Sequence, residues 1–288
     1  MGKILVTGAT GVVGKATIKH LLKKGVPANS IAGLVRNAEK AEELLAHGIE
    51  IRIGDYFDYD SLLTAFQGIE KVMLISAHSF TDRFKQHYNA ITAARQAGAH
   101  HIVYMSIMRK PGSNMVMPEV TESDIFSEQT LRASGVNYTV VFQPPFTEVL
   151  PFYYGMKALE KGIHLPGGFG KMAPATRDEL AEAHAVILTT PGHENKSYSL
   201  GGSEALSFTD IAGILAEVKG QPVPYSTISE EAYKDSLLKE GIPPHLADFV
   251  LDWVRDINNG EYDYQSGDLE RLLGRKTLSF REYLESQS

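Results

Sequence analysis

Through the first half of the chain, short apolar runs alternate with stretches whose apolar positions recur every three or four residues. The runs Lys3–Thr7, Ile31–Val35, Ile49–Gly54, Lys71–Ile75, His101–Met105 and Tyr138–Phe142 are apolar nearly throughout rather than alternating. Strands of that kind are covered on both faces, because a half-exposed strand would place a polar side chain at every second position. Between the runs, the spacing predicts helices near 12–24, 37–47, 59–67, 83–98 and 122–134. Gly25, Gly48, Gly68, Gly98 and Gly135 stand where these helices end, the position that favours a left-handed residue. Repeated strand–helix units imply a parallel sheet with right-handed crossovers and helices on both faces.

After Gln143 the pattern changes. Pro144-Pro145 and the aromatic-rich run Phe146 to Tyr154 leave the sheet, and a glycine-rich loop follows at Leu165–Gly170. A helix over Arg177–Thr189, a strand over Ser197–Gly201 and a helix over Phe208–Lys219 follow, of which the elements near 171–202 are expected to return to the sheet. A strand at Val223–Thr227 and helices near 230–240, 243–259, 267–273 and 279–286 predict a smaller, mostly helical lobe. The expected layout is therefore residues 1–150 as the sheet domain, rejoined by 171–202, and residues 151–288 as an interleaved substrate-binding lobe. No internal repeat is visible.

Composition narrows the partners. A hydrophobic fraction of 43% supports a packed core, and 13 Pro and 26 Gly form no low-complexity tract, so an ordered chain is expected. A net charge of −7 with dispersed basic residues speaks against nucleic acid. With no cysteine, disulfides and thiolate metal sites are excluded. The early glycines of the N-terminal stretch and the lack of a long apolar run predict a soluble cytoplasmic protein that engages no membrane.

The densest chemical signal is Gly8-Ala9-Thr10-Gly11-Val12-Val13-Gly14, between a strand and a helix. Gly8 permits a tight turn, Gly11 lets backbone approach a pyrophosphate, and Gly14 brings helix against strand, while the helix N-terminus favours the anion. The chain is thus expected to be α/β, with a Rossmann-like doubly wound parallel sheet that binds a dinucleotide. At the end of the second strand, where an acidic residue would accept from a ribose 2′-hydroxyl, stands Arg36, and no carboxylate follows until Glu39. A guanidinium there suits a 2′-phosphate, so NADPH is expected over NADH. Asp55 and Tyr56 close the third strand beside the adenine. Ser76, Ala77 and His78 close the fourth, under the ribose and nicotinamide, with His78 also within reach of a substrate. No metal site is expected, since His100-His101 and His184 lack ligand spacing.

These motifs, with Thr176-Arg177-Asp178-Glu179-Leu180-Ala181 and the segment Gly192–Leu200, resemble the NmrA-like branch of the atypical short-chain dehydrogenases/reductases over nearly the whole chain. Within it the chain most resembles the bacterial quinone oxidoreductase and triphenylmethane reductase type. The resemblance implies an NADPH-binding oxidoreductase in which Gly8, Thr10, Gly11, Val12 and Val13 hold the pyrophosphate and Arg36 the 2′-phosphate. Residues after strands four and five and the aromatics after strand six, Phe146 and Tyr153 among them, would line the acceptor pocket. Many relatives carry Arg or Lys where this chain has Gln143, which leaves its role open.

Most short-chain reductases pass a proton through a Tyr-x-x-x-Lys pair. Counting back from Glu128 places Val120 and Asp124 at those two positions, and neither can do that work. Ser106, ending strand five, matches the family serine that bonds a substrate oxygen and is the one catalytic candidate; a strand-end hydroxyl is the plain alternative. Tyr104 is expected in the core. Two readings remain. One is a reductase passing hydride to a small-molecule, electron-poor acceptor such as a quinone or dye, which needs no relay. The other is a non-catalytic NADP(H)-sensing regulator acting through a protein partner. A homodimer is an open assembly for either.

Overall fold

The computed structural model describes residues 2–287. Its elements run β1 (Lys3–Val6), α1 (Val12–Lys23), β2 (Ile31–Val35), α2 (Glu42–Ala46), β3 (Glu50–Ile53), α3 (Tyr59–Ala65), β4 (Ile69–Leu74), α4 (Arg83–Gln96) and β5 (His101–Ile107). There follow α5 (Thr121–Ser134), β6 (Asn137–Gln143), α6 (Leu150–Tyr154), α7 (Ala158–Lys161), β7 (Ile163–Leu165), β8 (Lys171–Met172), α8 (Arg177–Thr189) and β9 (Lys196–Ser199). The chain closes with β10 (Leu206–Ser207), α9 (Phe208–Lys219), β11 (Tyr225–Thr227), α10 (Glu230–Lys239), α11 (Pro244–Asn258), α12 (Asp268–Leu273) and α13 (Phe280–Ser286).

By contacts the chain divides into two compact units. The first gathers the chain up to Ile107 with Glu119–Phe142 and Arg177–Tyr198. Its sheet has the order β3-β2-β1-β4-β5-β6-β9, with β3, β2, β1, β4 and β5 paired in parallel. Buried Leu5, Ala32, Leu34, Val72, Leu74, Ile102 and Tyr104 of the sheet pack with Leu62, Phe66, Ile91, Ala94 and Leu131 from the α3, α4 and α5 region. Buried groups of this size remove apolar surface at roughly 25 cal/mol per Å², which is the term that closes the layer. The uninterrupted apolar runs are explained by this two-sided cover, with β2 buried at all five positions. Edge strand β3 departs from that expectation. It is only half covered, and Arg52 there donates to the Ala65 and Gln67 carbonyls at 2.7 and 2.6 Å.

The five helix-ending glycines all have positive φ, from 71° at Gly68 to 88° at Gly98. From β1 the chain passes outward to β2 and β3, then crosses back to β4 on the other side of β1. The carboxyl ends of β1 and β4 therefore splay apart, and that crevice is where such sheets take ligands.

The second unit comprises Met108–Pro118, Gln143–Thr176 and the chain from Ser199 on. Besides the expected helices it holds small strand pairs, β7 with β11 in parallel and β8 with β10 antiparallel. Its α9 starts in a reciprocal capping box between Ser207 and Asp210. Tyr153 stacks on Trp253, which stacks on Tyr262, with ring centroids 5.8 and 5.0 Å apart. Among the described residues no helix is long and apolar enough to cross a membrane.

Candidate cofactor site

A cavity of about 380 Å³ opens at the carboxyl ends of β1 to β4 in the first unit. Its wall takes Gly8, Thr10 and Gly11 from the turn after β1, Arg36 from the end of β2, Gly54, Asp55 and Tyr56 from β3, and Ile75, Ser76, Ala77 and His78 from β4. Leu34, Val35, Thr81 and Gln86 complete it. Four strands that are distant in sequence thus deliver one lining.

The turn after β1 is fixed by sterics. Gly8 adopts φ +56°, a conformation that costs a side-chain-bearing residue roughly 1–2 kcal/mol. A Cβ on Gly14 would lie 2.3 Å from the Gly8 carbonyl oxygen and 2.9 Å from the Ala9 Cα, so only glycine lets α1 begin so close to the turn. Gly11 differs. Its φ of −78° is ordinary and a Cβ would meet only the Gly8 oxygen, at 3.2 Å. The fold alone does not require glycine there, and the cavity is what gains from its bareness. Gly11 is also the N-cap of α1 and caps with no side chain. The first-turn N–H groups of Val12, Val13 and Gly14 are left without helical partners, a positive end aimed to receive an anion.

Arg36 is exposed on the cavity rim and makes no ion pair among the described residues. The next carboxylate in the chain, Glu39, accepts instead from the Asn37 side-chain amide at 3.1 Å, which leaves the Arg36 fork open. The Asp55 carboxylate accepts the Phe57 N–H at 2.8 Å and so holds its own turn, with the residue still on the cavity wall. The Tyr56 hydroxyl stands 2.6 Å from Thr7 Oγ1 and 2.8 Å from the Ile75 carbonyl, tying β3 to the ends of β1 and β4. Burial pushes its phenol above the usual range, so it stays protonated.

The turn after β4 is held differently. The Ala77 N–H donates to His87 Nε2 at 2.8 Å, and the Ala77 carbonyl accepts from Arg83 Nη1. His78 is exposed, and its carbonyl accepts from the Thr81 hydroxyl at 2.7 Å.

Helix α5 begins at Thr121, so Val120 is its N-cap and Asp124 lies in its first turn. Asp124 is 1% exposed. One carboxylate oxygen accepts from Arg83 Nη2 and from the Tyr104 hydroxyl at 2.5 Å, and the other accepts the Ile107 N–H at 3.1 Å. Burial raises its pKa against the opposing pull of Arg83. Tyr104 is fully buried, as expected of a core residue. The Ser106 hydroxyl is buried and donates to Glu128 Oε1 at 2.8 Å; it is not part of the cavity wall. Phe146 and Tyr153 belong to the second unit, where Phe146 bridges to Ala175 and Tyr153 joins the aromatic stack. The sequence reading missed Arg83, His87, Thr81 and Gln86. Arg83 and His87 lie one turn apart on α4, a pair of charged and titratable residues on a helix face that packs inward. That spacing was their only local signal.

The model of the NmrA-like family matches residues 1–284. Quinone oxidoreductase 2 of Escherichia coli K12 is 36% identical over 280 residues, covering 97% of this chain and 96% of that protein. A crystal structure of an NADPH-dependent quinone oxidoreductase from Escherichia coli complexed with NADPH superposes with a TM-score of 0.93 at 34% identity, over 99% of each chain. The Citrobacter sp. triphenylmethane reductase complexed with NADP(H) superposes with a TM-score of 0.92 at 34% identity, over 99% of this chain and 100% of that one.

Proposed function

The chain belongs to the NmrA-like family, and on that premise we propose that it is an NADPH-dependent oxidoreductase reducing an electron-poor acceptor, a quinone or a conjugated dye, without a protein proton relay. The residues present fit the cofactor. Gly8, Thr10, Gly11, Val12, Val13 and Gly14 offer an unobstructed turn and open helix-end donors for a pyrophosphate, and Arg36 offers a free bidentate fork for a 2′-phosphate. Asp55, Tyr56, Ser76, Ala77 and His78 wall the remainder. NADPH bound there supplies the hydride.

The observation that carries the reading is the state of α5. Val120 has no ionisable group, and Asp124 is closed off by Arg83, Tyr104 and Ile107. A ketone reduced at such a site would form an alkoxide with no positioned acid beside it. A quinone or cationic dye spreads the added electron pair over its conjugated system, and water supplies any proton the product takes. Holding donor and acceptor in register then lowers the barrier by an entropic contribution of up to roughly 7–11 kcal/mol. In this reading Ser106, whose hydrogen goes to Glu128, fastens β5 to α5 and does not touch the acceptor.

The test is to mix purified protein and NADPH with a panel of quinones, triphenylmethane and azo dyes, enones and simple ketones, and to follow nicotinamide absorbance. Turnover of the conjugated acceptors and not of the ketones is expected. Tight NADPH binding with no turnover of any acceptor would overturn the reductase reading in favour of a sensor. Arg36→Ala should weaken NADPH at least tenfold and leave NADH unchanged; equal loss for both would remove the 2′-phosphate role.

A further inference from the structure

The geometry points to Arg83, His87 and Asp124 as a positioning bracket that fixes the Ala77 peptide in the cavity wall, with Asp124 standing where other short-chain reductases carry a relay lysine. The inference rests on reading the cavity as the NADPH site. Ala77 is gripped at both ends of its backbone, its N–H by His87 Nε2 at 2.8 Å and its carbonyl by Arg83 Nη1. Both gripping groups come from α4 and are themselves held by α5. Arg83 Nε donates to Ser123 Oγ at 2.8 Å, and Nη2 donates to Asp124 Oδ1. Asp124 Oδ2 takes the N–H of Ile107 at the end of β5. One carboxylate therefore ties the ends of β4 and β5 into a single frame. Arg83, His87, Asp124 and Ser127 are all less than 5% exposed, so water cannot substitute for any member.

The hydrogen positions follow from the partners. An amide N–H only donates, so His87 Nε2 must carry the lone pair and Nδ1 the hydrogen. Nδ1 lies 2.8 Å from Ser127 Oγ, whose own hydrogen goes to the Ser123 carbonyl at 2.7 Å. The Ala77 N–H, the His87 Nδ1–H and the Ser127 hydroxyl then each have an acceptor, and a second ring proton would set N–H against N–H. Burial beside Arg83 lowers the His87 pKa to about 3, in keeping with a ring that stays neutral. A lysine at position 124 would instead bury two cations together, so Arg83 and a relay lysine exclude one another. Asp124 thus acts through Arg83 on the Ala77 segment, and the relay position has been given to holding the wall of the cofactor cavity.

The first measurement uses the unmutated protein. The His87 ring nitrogen shifts should be those of the neutral Nδ1–H tautomer, and the Ala77 amide should exchange at least tenfold more slowly than those of its neighbours in the turn. An Nε2–H ring or an unprotected Ala77 amide would overturn the bracket. The second uses Asp124→Asn and Arg83→Met, with Arg83→Lys as the conservative variant, each checked for a cooperative melt. Loss of Ala77 protection and a rise of at least tenfold in NADPH Kd are expected for the first two, with partial recovery in Arg83→Lys. For the conjugated acceptors kcat should fall while acceptor KM holds. Folded variants that keep the native Kd and native exchange at Ala77 would refute it. Exchange, tautomer and Kd do not depend on turnover, so a protein that reduces nothing would remove the reductase reading and leave the bracket standing.

Discussion

Two turns face each other across the cavity, and they are held in opposite ways. The turn after β1 owes its shape to what is missing: no Cβ at Gly8, where φ is +56°, and none at Gly14, where one would strike the Gly8 carbonyl. All of that is settled within seven residues. The turn after β4 has no such restriction at Ala77, whose peptide is shaped by side chains, and the central ion pair, Arg83 with Asp124, joins residues 41 apart. A steric constraint acts within a few residues and leaves a spaced signature. A constraint by buried polar groups acts only once the layers have closed, and its members look ordinary one at a time.

The contrast can be broken most severely at Asp124. Asp124→Lys, the change that nominally restores a relay residue, should lower stability by about 3–5 kcal/mol, because it removes the partner of a buried Arg83 and adds a second cation. Urea denaturation measures this, and no gain of ketone reduction should accompany it. A stability loss under 1 kcal/mol would mean that Arg83 can leave the interior. Next in size is Gly14→Ala, which must move backbone at 2.3 Å and should cost roughly 1–3 kcal/mol and also abolish tight NADPH binding.

Acid tests the β4 side of the comparison. The unfolded chain protonates His87 below about pH 6.5, whereas the folded chain does not until about pH 3. The stability of the neutral form is therefore complete above 6.5 and falls as the pH drops toward 3, by about 1.4 kcal/mol for each unit. His101 and His184, depressed to about 4 and about 3, act in the same direction. His87→Gln should remove one proton's share of the slope between pH 6.5 and 5, read from chemical melts at each pH. The smallest effect on the fold is expected at Gly11→Ala, where the φ is already ordinary and the new contact is 3.2 Å. Melting should change by less than about 1 kcal/mol while NADPH affinity drops at least tenfold. A large loss of stability with little loss of affinity would reverse the assignment of Gly11 to the ligand.

Much of the first unit could be read along the chain. The limits of β2 and α8 are those expected, as are those of α9 in the second unit, and the strand that follows α8 ends two residues earlier, at Ser199. Of the short pairs β7–β11 and β8–β10, only β11 was expected, within Val223–Thr227. Two- and three-residue strands have no period to detect, and they exist only because a partner distant in sequence supplies the other half of each hydrogen bond. Ser106 teaches the same lesson at the level of one hydroxyl: the end of a strand makes it available, and Glu128 on α5 takes its hydrogen.

By itself the sequence determined the doubly wound layers, the glycine turn and the open Arg36, because apolar period, left-handed glycine and a missing carboxylate are properties of neighbouring residues. It also put Val120 and Asp124, neither a Tyr nor a Lys, at the two positions counted back from Glu128. What Asp124 holds there was decided only by the tertiary structure. A buried charge has no meaning until its counterion is known, and Asp124 meets Arg83 only when α4 and α5 pack side by side.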